Sequence, residues 1–167
     1  EQLSLKMGAK ITPDEELTLQ ILLDMNAGGD IDEIQEICVA AEKEYGLERA
    51  LKAMKDEWST VQFEVKAYKD TGTAVVGGID DIIALLDDHV LKTQTMRGSM
   101  FIKAIEGDCH KWENQLKYAQ SLLDEWIKCQ RTWMYLEPIF GSEDIMRQLP
   151  TEARRFNDVN TLWRATM

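Results

Sequence analysis

The sequence is poor in the residues that punctuate turn-rich β proteins, with 3 prolines and 10 glycines among 167 residues. This scarcity favours helices over a β-sandwich. The apolar runs are far shorter than the 18 or so residues that a membrane span needs, so we expect no membrane association. Three cysteines, Cys38, Cys109 and Cys129, are too few and too odd in number for a disulfide scaffold, which indicates a reducing, intracellular compartment.

Positive charge is also scarce. The 19 basic side chains are outnumbered by 30 acidic ones, which gives a net charge of −11. Nucleic-acid binding needs a cationic face, so we do not expect a nucleic-acid partner. The 44% hydrophobic content is too high for a disordered chain, and the length suits one domain. We expect the chain to be part of a longer polypeptide, because an amphipathic pattern continues up to Met167.

The sequence does contain strong helical signals. Thr12-Pro13-Asp14-Glu15 supplies an N-cap, a first-turn proline and a capping-box glutamate, which predicts a helix from there to Asn26. Asp30 can cap a second helix that ends near Trp58. The apolar stripe of this second helix changes phase at Gly46, where we expect a bend or a stutter.

A two-residue rhythm then replaces the helical one. Apolar and polar residues alternate, a turn signal follows, and a second apolar run completes the pattern, which predicts one β-hairpin over about residues 61–76. Gly77 and Gly78 separate the hairpin from a third helix that begins at Ile79.

A seam of residues at alternating steps of four and three dominates the second half of the chain. It predicts a long helix that starts near Ser99 and ends before Pro138. We expect Pro138 and Gly141 to break this helix, and a last helix to follow Pro150. The seam consists of Ile105, Cys109, Trp112, Leu116, Ala119, Leu123, Trp126, Gln130 and Trp133.

The predicted fold is mainly α: an elongated bundle of long helices with one small inserted β-hairpin. We expect residues 1–167 to form a single helical segment, with helices over 1–58 and 79–167 on either side of the hairpin at 61–76. A spectrin-like scaffold is an alternative that periodicity alone leaves open. Spectrin-type units have no hairpin, however, and this chain has no internal repeat.

The sequence predicts no catalytic, cofactor or metal site. Residues 24–35 partly match an EF-hand calcium loop, but Gln35 stands where the loop needs a bidentate glutamate, so a calcium-regulated module has little support. The cysteines lack the paired spacing of a zinc site. Cys109 and His110 point about 100° apart on a helix and cannot form a nucleophile–base pair.

Two further positions have features of a functional site, but the residues around them argue against one. His89 follows Asp87 and Asp88 near a helix end, and we expect it to be solvated. The passage from strand to helix at Gly77-Gly78 has the position of a phosphate loop. The acidic pair Asp80-Asp81 in the first helical turn would repel a phosphate there.

The second half of the chain closely resembles the linker region of dynein heavy chains. The resemblance lies in Trp126–Phe140, which contains Trp-Met-Tyr-Leu-Glu-Pro-Ile-Phe, and continues through Asp144–Phe156 to Trp163-Arg164. Upstream, Ala40–Trp58 fits the same pattern. Pro138 within the run and the spacing before Asp144 are similar to axonemal rather than cytoplasmic heavy chains.

The resemblance implies a mechanical role without catalysis in this segment. In dyneins the linker is a lever arm that bends and straightens as the AAA+ ring binds and hydrolyses ATP, so ATP and Mg²⁺ would be bound outside this chain. The implied partners are the ring and the remaining linker of the same heavy chain, with other dynein subunits contacted indirectly and no direct contact with tubulin. The implied location is the cytoplasm, the cytoskeleton and the ciliary axoneme.

Within this resemblance we single out two sets of residues. The candidate partner contacts are Tyr135, Arg147, Arg154 and Arg155. The candidate hinges are Gly28, Gly29, Gly77, Gly78, Pro138 and Gly141.

Overall fold

Helices make up most of the fold, because apolar residues recur at helical spacing in the long segments. The computed structural model describes residues 2–12, 14, 17–25 and 31–167. In chain order the elements are α1 (Gln2–Lys6), α2 (Leu19–Asp24), α3 (Ile31–Trp58), β1 (Glu64–Ala67), β2 (Ala74–Gly77), α4 (Ile79–Arg97), α5 (Glu106–Phe140), α6 (Glu143–Gln148) and α7 (Pro150–Thr166). This mainly α architecture with one small hairpin confirms the predicted fold class.

Helix α5 is the central helix of the bundle. Its 35 residues span about 52 Å at 1.5 Å per residue. All nine seam residues predicted from the heptad spacing are buried or partly buried. Helix α4 packs antiparallel to α5, since Met96 shares a core with Cys109 while Leu86 shares one with Leu123. The seam therefore collects the apolar faces of the other elements.

Three hydrophobic cores follow one another along α5. They are Leu51, Met54, Met96, Ile102 and Cys109 at its start; Ile82, Leu86, Leu116 and Leu123 in the middle; and Tyr68, Trp133, Phe156 and Trp163 towards its end. The accessible surface is 12098 Å², whereas a compact protein of 19.2 kDa exposes about 8,400 Å². Cores in a row and a large surface are the features of an elongated bundle.

The predicted start of the first helix at Thr12 is wrong. Asp14 and Leu17 are not helical, and α2 begins only at Leu19. Thr18 caps it, with its hydroxyl oxygen accepting a hydrogen bond of 3.3 Å from the amide of Ile21. None of the six residues of α2 is buried, so no packing supports a longer helix there.

Helix α3 confirms the predicted end at Trp58 and runs without interruption through Gly46, where a bend was expected. Its buried residues are Leu51 and Met54, both in the second half. The first half of α3 buries no side chain fully and packs more loosely, with α1 beside it through the ion pair between Lys6 and Glu33.

The bounds of α5 differ from the sequence expectation at both ends. Residues 99–105 form turns rather than the first helical turns, and Pro138 does not end the helix, which continues to Phe140. Gly141 follows as the C-cap in an ordinary right-handed conformation. Packing at the far end of the bundle overrides the local preference of proline.

The hairpin is confirmed, with strands at 64–67 and 74–77. It is antiparallel, and its register pairs Val65 with Val76 and Ala67 with Ala74. Gly72 in the turn has φ +70°, a left-handed conformation that suits glycine. The hairpin lies beside the last third of α5, where the aromatic core is found.

Candidate functional site

Side-chain hydrogen bonds from α5 and α7 hold the hairpin at its junction with these two helices. The side-chain amide of Gln130 on α5 accepts a hydrogen bond from the Val76 amide (2.9 Å) and donates one to the Val76 carbonyl (2.8 Å). The Trp163 indole on α7 donates to the Ala74 carbonyl at 3.2 Å. Side chains from two helices thereby replace the neighbouring strand that β2 lacks on its outer edge.

Stacked tryptophans support this junction. The ring of Trp163 lies 5.2 Å from that of Trp126 and 5.2 Å from that of Trp133, and the ring of Tyr68 meets Trp133 edge-on at 5.3 Å. The Trp133 indole donates to the Asn160 side chain at 3.1 Å and is 1% exposed. The seam residues Trp126 and Trp133 are thus packed against further elements of the same chain.

The proline inside α5 is compensated at this junction. Pro138 has no N–H, so the Met134 carbonyl one turn earlier loses its helical partner. The hydroxyl of Tyr68, the residue that follows β1, donates to that carbonyl at 3.2 Å. A hydrogen bond from the hairpin therefore takes the place of the missing one in the helix.

A buried carboxylate joins α4 to α5 at the other end of the bundle. Glu113 on α5 is 1% exposed and forms ion pairs of 2.6 Å with Arg97 of α4 and 2.6 Å with Lys117. The hydrogen bond from Lys117 and then that from Arg97 lower the pKa of Glu113 below its ordinary value of 4.5, although burial opposes this. Glu113 therefore remains charged and connects the two central helices.

His89 is a correction to the sequence analysis. It is 1% exposed rather than solvated, and its Nδ1 accepts a hydrogen bond of 2.9 Å from the Trp58 indole. Its Nε2 lies 3.4 Å from a Glu57 carboxylate oxygen. The helical spacing of Leu86, His89 and Thr93 along the buried face of α4 carries the signal that the neighbouring aspartates obscured.

These contacts form a braced bundle, and comparison with known proteins shows where it belongs. The sequence model of "Dynein heavy chain, N-terminal region 2" matches residues 1–167. The chain belongs to the dynein heavy chain family. The full-length match leaves no support for the spectrin-like alternative.

Relatives of this dynein heavy chain region include axonemal heavy chains, which confirms the resemblance drawn from the sequence. It is 47% identical to dynein axonemal heavy chain 3 of Mus musculus and 48% identical to that of Homo sapiens, in both cases over all 167 residues and 4% of the relative's length. It is 43% identical to dynein axonemal heavy chain 12 of Mus musculus, again over the whole chain and 5% of the relative. The chain thus spans a small part of the curated relatives that it matches.

The predicted contact residues of this dynein region lie on three different helices. Tyr135 on α5 is 71% exposed, and Arg154 and Arg155 on α7 are exposed. Arg147 on α6 pairs with Glu143 at 3.0 Å. Arg155 lines a groove between α5 and α7 beside Phe156. Their role as partner contacts stays a prediction.

The predicted hinge residues have different surroundings. Gly28 and Gly29, and with them the centre of the EF-hand-like segment, lie outside the described residues. Gly77 is the last residue of β2, and Gly78 has φ +63° between β2 and α4. Pro138 lies inside α5 and Gly141 caps it. Their role as hinges also stays a prediction.

Among the described residues there is neither a metal-binding cluster nor a helix able to cross a membrane. No group of histidine, cysteine and carboxylate side chains in that part of the chain is arranged to hold a metal ion. Over the same residues, no helix combines the length and apolar character that crossing a membrane requires.

The compensation of Pro138 by Tyr68 predicts a specific coupling. Tyr68→Phe should lower the free energy of unfolding by about 1 kcal/mol, because the Met134 carbonyl loses its partner. In a Pro138→Ala background the same substitution should cost measurably less, since the new backbone amide at that position would restore the helical bond. Urea unfolding of the four proteins measures the coupling, with exposed Tyr135→Phe as the control. Equal costs in both backgrounds would rule out the compensation.

The buried carboxylate predicts a pH-dependent stability difference. Glu113→Gln should lower the free energy of unfolding by about 2 kcal/mol at pH 7, because charge-assisted hydrogen bonds are weakened. Because the pKa of Glu113 is lowered by folding, its contribution is present above pH 4.5 and is lost as the pH falls through the lowered value. The difference between the two proteins should therefore shrink in acid. Glu125→Gln, which removes an exposed carboxylate on α5, should show neither effect.

Proposed function

We propose that this chain is part of the linker of an axonemal dynein, a non-catalytic lever arm. It transmits ATP-driven changes of the AAA+ ring into movement along microtubules for ciliary beating. Membership of the dynein heavy chain family and 47% identity to an axonemal heavy chain support this assignment. A lever needs a stiff element longer than its neighbours, with partners that keep it straight.

The observation that carries the proposal is the unbroken α5. It passes through Pro138 to Phe140 over about 52 Å, with α4 along its first part and the hairpin and α7 along its last. Proline would weaken an isolated helix at this point. Here Tyr68 restores the bond that the proline removes, which keeps the helix continuous where bending would dissipate force.

The remaining parts of the proposal concern partners and location. Bending would occur where the chain leaves its regular elements, at Gly77-Gly78 between β2 and α4 and at Gly141 after α5, whereas the continuous helix at Pro138 argues against the hinge predicted there. ATP and Mg²⁺ would be bound by ring modules outside this chain, and the ring and the remaining linker of the same heavy chain would be its direct partners. Other dynein subunits would be reached indirectly, and the net charge of −11 disfavours contact with the acidic microtubule surface. The site of action would be the axonemal cytoskeleton of the cilium.

Loss of the aromatic core around Trp133 should slow movement along microtubules without a matching loss of ATP turnover. In a full-length heavy chain, Trp133→Ala removes the centre of the aromatic core and should reduce microtubule gliding velocity at least about twofold, because the core mutation costs about 3–5 kcal/mol of local packing. ATP hydrolysis without microtubules should change little. Tyr118→Ala, 72% exposed on the same helix, is the control. Unchanged velocity would contradict the lever role, and an equal loss of ATPase would contradict the non-catalytic assignment.

The arginines on α6 and α7 allow a separate test of partner contact. Reversing Arg147, Arg154 and Arg155 to glutamate should slow gliding, because the reversed charges would repel the partner that the arginines attract. All three side chains are exposed, so the substitutions should change the stability of the bundle little. A matched variant reverses the exposed Lys43, Lys52 and Lys103, which makes the same change in net charge elsewhere. If the two variants glide equally fast, the arginines are a solvated face and not a contact.

A further inference from the structure

The outer edges of the two hairpin strands differ in their hydrogen bonding to the rest of the molecule. Tyr68 donates its amide hydrogen to the Thr73 carbonyl (3.0 Å) in the hairpin register. Hydrogen-bonded and non-hydrogen-bonded pairs alternate in antiparallel sheets, so the amides and carbonyls of Ala74 and Val76 point away from β1. The Val76 amide and carbonyl and the Ala74 carbonyl are the groups that Gln130 and Trp163 bind. The outer edge of β2 is thereby closed.

The outer edge of β1 has no such cover. By the same alternation, the amides and carbonyls of Val65 and Ala67 point outwards, and neither residue has a hydrogen bond to another element within the described part of the chain. All four residues of β1 are exposed. Edges of this kind are normally blocked or covered, because they pair readily with another strand.

Apolar surface adjoins this open edge. Phe63 is 50% exposed and Val65 is 58% exposed. Both line a groove of about 330 Å³ with Val76, Leu122 and Trp126. The indole nitrogen of Trp126 is buried without a hydrogen-bond partner among the described residues. A two-stranded sheet is marginal in water, and added strands with a shared apolar face would stabilise it.

The charged residues of β1 indicate which strand could pair with its outer edge. Around Val65 the strand reads Phe-Glu-Val-Lys-Ala, so a second β1 running antiparallel and centred on Val65 places Glu64 opposite Lys66 and Lys66 opposite Glu64. Centring on either charged residue would instead place like charges opposite each other. Glu64 and Lys66 pair with each other at 3.0 Å and are about half exposed, so both are available to a neighbouring strand.

We propose that β1 is a self-association edge, at which a second copy of this chain adds its own β1 in antiparallel register centred on Val65. The product is a four-stranded sheet in which β1 strands from both copies are central. Val65 exchanges backbone hydrogen bonds with Val65 of the partner subunit, and Phe63 does so with Ala67 of the partner subunit. The grooves beside the two hairpins join into one apolar surface.

This interface is small, so the association is weak and reversible. A few residues per strand bury far less than a standard interface, and we expect a dissociation constant on the order of 100 µM. The net charge of −11 opposes association at long range. At physiological salt, however, screening acts beyond about 8 Å, so that the cross-strand pairs outweigh the distant repulsion.

Charge exchange tests the register. Sedimentation equilibrium of the 167-residue chain from about 5 to 500 µM should show a monomer–dimer equilibrium. Glu64→Lys or Lys66→Glu alone should weaken dimerisation about tenfold or more, because each places like charges opposite each other twice. The double variant, and an equimolar mixture of the two single variants, should regain it. Circular dichroism checks that all variants keep their helical content.

A backbone variant tests the edge itself. Val65→Pro removes an amide that points outwards and leaves the ladder to β2 intact, so it should abolish dimerisation without unfolding the hairpin. A wild-type chain that stays monomeric at the highest concentration would overturn the proposal and leave β1 open or covered by another part of a heavy chain. Dimers that survive Val65→Pro, or single variants that dimerise as well as the wild type, would place the interface elsewhere and equally overturn it.

Discussion

Burial of the α5 seam is the constraint on which the rest of the structure depends. The three cores lie in a row: α5 contributes to all of them, α3 and α4 contribute to the first two, and the hairpin and α7 pack on its last third. Elements with no contact to the seam, such as α2, bury nothing. Damage at one end therefore need not spread to the other by direct packing, whereas loss of α5 would leave every core incomplete.

Polar groups within the seam give this arrangement its specificity. Apolar side chains can slide past one another by a turn at modest cost, but Gln130 and Glu113 cannot, because each would leave buried partners unsatisfied. Gln130 determines where the hairpin lies along the helix, and Glu113 determines the position of α4 through Arg97. The two residues act as register marks at opposite ends of the bundle.

Periodicity predicted the parts of the fold that local patterns determine. The seam, the end of α3 and the hairpin followed from spacing alone, because the buried face of a helix or strand must be apolar. The errors at Pro138, Thr12 and His89 share a different cause: the deciding partner, or its absence, is remote in the chain. The seam tryptophans could be seen in the sequence, whereas the bonds from Tyr68 to Met134 and from Gln130 to Val76 required the tertiary structure.

The bond between Trp163 and Ala74 also has a consequence for biosynthesis. The two residues are 89 positions apart. At ordinary translation rates the ribosome needs roughly 4 to 18 s to make the intervening chain. The nascent hairpin exposes both edges until Gln130 of α5, 54 residues beyond Val76, has been made, and the contact from α7 follows later still. The hairpin site is thus completed only when α7 has been made. Until then its unpaired strand edges can pair with other chains.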